Sequence, residues 1–172
     1  FLIYGASKFW KTNKTIPLLA FAAFFLMLVE AWLGKTVVDT NLKPTIITIH
    51  MVLGLVIIAL LLKLKFNISE RKRIYRYSAI FNKLLIISVI FSLIQIAMGT
   101  QVRQFIDEQV KQLGFENKNY SLMNPSFKFY FHRSFTIAIV LVNLSLFYLN
   151  QVKKLGYKLV NWVVLLIFLE TI

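Results

Sequence analysis

Hydrophobic positions in this chain fall into long unbroken stretches separated by short polar segments. Four full stretches can be drawn, at 16–34, 45–63, 84–100 and 128–149, and a fifth begins near 158. Each is close to the roughly 20 residues that cross the hydrocarbon of a bilayer as helix. Backbone polar groups in lipid are satisfied only inside helices or closed barrels, and these stretches are too long and too uniformly apolar for barrel strands. The pattern predicts an all-α polytopic transmembrane helical bundle. Pro44 and Pro125 stand just before the second and fourth stretches, where proline suits the start of a helix.

Composition agrees with that reading. Hydrophobic residues make up 58% of the 172 residues and the mean hydropathy is +0.70, whereas soluble domains run at roughly 45–50% apolar with more charge. The absence of cysteine excludes disulfides, thiolate metal sites and cysteine nucleophiles. The net charge of +13 is carried by the polar segments, so membrane topology explains it without nucleic acid as a partner. Lys8, Lys11 and Lys14 precede the first span. Lys63, Lys65, Arg71, Lys72, Arg73, Arg76 and Lys83 lie between the second and third, and Lys153, Lys154 and Lys158 between the fourth and fifth. The other two connections are weakly or evenly charged. By the positive-inside rule the amino-terminal segment and the 64–83 segment are cytoplasmic, and the 101–127 segment faces outward. Membrane lipid is the surrounding partner, and the Arg71–Arg76 run is a topology signal that could also hold anionic headgroups. The chain opens on Phe1 without a methionine and stops within an apolar run, so it reads as an internal piece of a longer protein.

The two histidines carry the candidate chemistry. His50 lies six residues beyond Pro44, and His132 lies seven beyond Pro125. At 1.5 Å rise per residue both sit about 9–10 Å from the outer end of their helices. An ionisable or metal-coordinating group at that depth is costly and marks a functional site by default, and imidazole in a helical membrane bundle suits haem iron. The alternative is an imidazole that only bridges neighbouring helices. A repeat frames both. Glu30, Gly34 and Val37 end the first span in the pattern that Gln95, Gly99 and Val102 follow at the end of the third, and Glu170 stands where another copy would begin. Each complete copy leads through an outward connection to a helix with an early histidine, and repeated helix pairs often place a ligand site between them.

The segments EAWLGKTVVDTNLKPTIITIHMVLGL and QIAMGTQVRQFID, followed by FHRSF, resemble the haem A synthase family, membrane enzymes that convert haem O to haem A for terminal oxidases. The resemblance implies an eight-helix protein of two similar four-helix halves, each holding a haem between two histidines. It places residues 1–83 as the second part of the amino-terminal half with a cytoplasmic linker. Residues 84–172 become the first part of the carboxy-terminal half. By this resemblance His50 is an axial ligand of the substrate haem O, and His132 is an axial ligand of a haem b cofactor. Both are then metal-binding through haem iron. Their partner histidines and the family's catalytic glutamate would lie outside this chain, so no catalytic residue is assigned, and Glu30 is not that glutamate. Many family members carry cysteines in the outward loops; this chain does not, which puts any redox role of such cysteines in doubt.

Other polar residues divide between bland and functional roles. Arg133 either snorkels to the outer headgroups or pairs bidentately with a haem propionate; Arg103 and Lys35 are weaker candidates for the same role. Glu30, Gln95 and Glu170 read first as interhelical hydrogen-bonding groups. Gly34, Gly54 and Gly99 read as close-packing positions, and Phe127, Phe129, Tyr130, Phe131 and Phe135 as lipid-facing or porphyrin-lining aromatics. The resemblance further implies a haem-dependent oxidoreductase acting on a CH or CH2 group, in the cell (inner) membrane. Its partners would be the farnesyltransferase that makes haem O and the oxidase assembly factors. The rivals are a di-haem cytochrome b that only passes electrons and, from another class, a transporter with a polar midplane site.

Overall fold

The computed structural model describes residues 2–69, 76–114 and 125–171, with side chains through residue 169. Among these residues all regular structure is α-helical: α1 (Leu2–Ser7), α2 (Thr15–Asp39), α3 (Pro44–Ile68), α4 (Ala79–Leu113), α5 (Phe127–Val152) and α6 (Lys158–Thr171). Four of them, α2 to α5, are long and apolar enough to cross a membrane. The chain divides into two compact units, Phe1–Lys72 and Arg73–Ile172, a boundary within the basic 64–83 segment.

The first unit is an antiparallel hairpin of α2 and α3, with α1 packed against α2. Helix α2 stops at a tight turn. Asn41 and Leu42 take positive φ of 53° and 60°, and the Leu42 amide donates back to the Val37 carbonyl at 2.9 Å, closing the orphaned carbonyls of the last turn. Pro44 then opens α3, its missing N–H being one that a first turn leaves unpaired anyway. At the opposite end, Ala6, Ile16, Ala20 and Leu64 form a small buried cluster. The small residues on α2 let the helices approach closely, as membrane helix pairs require.

The second unit repeats the hairpin with α4 and α5 and adds α6. Ser78 caps α4 through its hydroxyl, which accepts from the Phe81 amide. Phe81 stacks on Tyr157 with ring centroids 4.8 Å apart, beside buried Leu146 and Leu155. Across the α5–α6 turn the Asn150 amide accepts from the Tyr157 N–H at 3.1 Å and donates to its carbonyl at 3.0 Å. Between the hairpin helices, the Ser88 hydroxyl donates to the Asn143 side chain at 3.1 Å. The helices outlast the apolar stretches. Most notably α4 continues through residues 101–113, which the hydropathy pattern assigns to the outward connection. Arg103–Asp107 at 3.7 Å and the adjacent Gln104–Glu108 pair support that polar extension at i,i+4 spacing.

Large apolar side chains such as Phe25, Trp32, Phe66, Ile86, Leu141 and Trp162 are exposed on both units, as lipid- or helix-facing residues of a membrane hairpin must be. The Arg71–Arg73 part of the basic run, residues 115–124 and the Glu170 side chain lie outside what is described.

Candidate functional site

Each unit holds one imidazole in the same kind of seat. In the first, α3 carries His50 one turn and more inside its Pro44 start and turns it toward α2. A Cβ added to Gly34 would lie 3.5 Å from the ring's Cε1 and 4.0 Å from Nε2, so the ring edge lies within van der Waals reach of α2 at this glycine. The other ring nitrogen, Nδ1, is buried and lies 3.1 Å from Glu30 Oε1. That separation is within hydrogen-bond reach but off the N–H direction, so Nδ1 has contact without an aligned bond. Glu30 Oε2 is also buried, with no hydrogen-bond partner among the described residues. The carboxylate itself is seated by a second glycine: a Cβ on Gly54, one turn beyond His50, would lie 3.1 Å from Oε1.

The second unit repeats the glycine seat and changes what stands behind it. A Cβ on Gly99 of α4 would meet His132 Cε1 at 3.3 Å and Nε2 at 3.9 Å. Gln95 takes the place of Glu30, but its amide points elsewhere, donating to the Thr136 hydroxyl at 2.8 Å and to the His132 backbone carbonyl at 3.3 Å. Thr136 stands one turn beyond His132, where Gly54 stands relative to His50. Consequently His132 Nδ1 is buried with no hydrogen-bond partner among the described residues. Since Nδ1 is enclosed in both rings, Nε2 is the nitrogen each can offer to a ligand. His50 keeps 35% of its side chain exposed, and that surface lies away from Nδ1.

Seven of the residues singled out by sequence therefore come together in two sets: Glu30, Gly34 and His50 with Gly54, and Gln95 and Gly99 with His132. Arg133 is not in its neighbour's seat. It lines a groove of about 980 Å³ between α5 and α6, together with Tyr130, Val140, Asn143 and Val164. Consecutive residues on a helix diverge by about 100°, so His132 and Arg133 face different surroundings. Arg103 pairs with Asp107, and Lys35 lies 4.0 Å from Asp39; all four groups are well exposed. Phe127, Phe131 and Phe135 stack in line along α5 with centroids 6.2 and 6.0 Å apart, and Phe135 meets Phe91 of α4 at 5.0 Å. Thr136 escaped the sequence reading; its one-turn spacing from His132 was the available signal. Among the described residues no group of three or more His, Asp or Glu side chains gathers to hold a bare metal ion.

Comparison with known proteins supplies the frame for these seats. The sequence model of the family described as cytochrome oxidase assembly protein, COX15-CtaA, matches residues 1–172. The comparisons with curated proteins and with solved structures found no match.

Proposed function

Because the chain belongs to the COX15-CtaA family of cytochrome oxidase assembly proteins, we propose that its parent protein is a haem A synthase, oxidising the methyl group of haem O to the formyl group of haem A. The observation that carries this reading is the pair of matching imidazole seats, each with a glycine under the ring edge and an enclosed Nδ1. One imidazole per helix pair suits a macrocycle that brings its own equatorial donors, and imidazole is a common axial ligand of haem iron. The residues fit such a group: Nε2 is the nitrogen left to each ring, and Gly34 and Gly99 bring a bare backbone edge beside it.

On this reading His132 holds a resident haem b, and His50 holds the substrate haem O. Haem b, when bound, supplies one-electron redox chemistry. The chain's own contribution is to fix ring orientation, through the glycine seats, and to exclude water with apolar helix faces. Arg133, on the α5–α6 groove, offers a planar two-point donor for a propionate. The setting is a cell (inner) membrane, next to the farnesyltransferase that delivers haem O and the assembly machinery that takes haem A.

The test is the haem content of cells that lack this protein. Accumulated haem O with no haem A is the expected result; normal haem A would overturn the proposal.

A further inference from the structure

The two seats share a scaffold but differ in what backs the ring. Behind His50 stands a carboxylate 3.1 Å from Nδ1, lodged over Gly54. Behind His132 stands an amide that Thr136 draws away, leaving Nδ1 unpartnered. A carboxylate at membrane depth costs more than an amide. If its task were only to tie two helices together, an amide would serve, as Gln95 does. Glu30 has one cationic or N–H partner within reach on α3, and that is the His50 ring.

We infer that Glu30 is a positioning residue that holds the His50 ring by Nδ1, aims Nε2 at the iron of the haem bound there and makes His50 the stronger donor of the two histidines. The inference rests on the haem reading given above. Iron at Nε2 obliges the ring proton to sit on Nδ1, facing Glu30. The terminal torsion of a glutamate is soft, so a small turn of the carboxylate aligns the bond that the 3.1 Å contact already brackets. A carboxylate accepting from the distal N–H fixes the ring and makes it a stronger electron donor to the iron, which favours ferric iron and lowers the reduction potential of that haem. The His132 haem has no such support and stays the more easily reduced. The fold thus builds an asymmetry between its haems out of two substitutions in a repeated hairpin: Glu for Gln on the first helix, and Gly for Thr one turn past the histidine.

The experiment uses the purified full-length protein titrated with ferric protoporphyrin IX, followed by potentiometry with optical detection; the signal lost in His50→Ala identifies the haem in question. Glu30→Gln keeps an interhelical hydrogen-bonding group and removes the charge. It should weaken retention of that haem by about tenfold to a hundredfold and shift its potential upward, leaving the other haem's potential in place. Gly54→Ala, which crowds the carboxylate without removing it, should shift the same potential in the same direction by less. If both variants keep wild-type affinity and potential while the His50-dependent signal is present, the positioning role is overturned and the haem reading stands. If the wild-type protein has no His50-dependent haem signal, both fall.

Discussion

His50 and His132 lie on glycines at 3.5 and 3.3 Å from the position a Cβ would take, and the small difference has a consequence. The first distance is ordinary van der Waals contact, whereas the second is tighter than nine in ten real Cβ contacts. Gly34→Ala should therefore leave haem retention close to wild type. Gly99→Ala should displace the His132 ring by a few tenths of an ångström and lower the haem that co-purifies with the full-length protein. Absorbance per mole of protein measures both, and equal behaviour of the two variants would contradict the seat geometry. At this scale the sequence was informative because histidine is rare here and a glycine recurs four residues after Glu30 and after Gln95, each on the helix before a histidine. Thr136 and Gly54 were harder to read, because their role appears only once Gln95 and Glu30 are seen to reach across to the neighbouring helix. Arg133 shows the opposite limit: adjacency in sequence to His132 put it on a different helix face.

At the scale of the element, apolar stretches located every long helix but not its ends. Hydropathy drops where a helix leaves the hydrocarbon, while backbone hydrogen bonding continues, and so α4 runs to Leu113 on charged i,i+4 pairs that read as loop. Helix α1 was not legible at all, being six residues long. The α5–α6 turn, by contrast, adds a buried side-chain clamp to its backbone bonds. Asn150 makes two bonds to Tyr157, so Asn150→Ala removes both and should cost about 1–3 kcal/mol. Gln151→Ala, which loses one exposed contact to Asn161 at 3.3 Å, should cost far less. Thermal unfolding of the two variants in detergent ranks them, and comparable midpoints would show that the clamp contributes little.

For the whole molecule, the repeated hairpin and the charge distribution make separate predictions. Helix α4 spans 35 residues, about 50 Å at 1.5 Å per residue, enough to cross the roughly 30 Å hydrocarbon core and emerge. In this cysteine-free chain, Lys83→Cys should label from the cytoplasmic face and Lys111→Cys from the outer face; labelling from one side would overturn the topology. The family and the all-α membrane architecture were both legible in sequence, since each rests on long patterns. The chemistry behind each histidine was not, since it rests on which side chains meet across a hairpin. The central claim is that the two seats serve two different haems. Electron paramagnetic resonance of the ferric full-length protein, as wild type, His50→Ala and His132→Ala, tests it most directly. Two distinct low-spin signals are predicted for protein loaded with both haems, with His132→Ala removing that of the resident haem b and His50→Ala removing only the other. Loss of one and the same signal in both variants would contradict it.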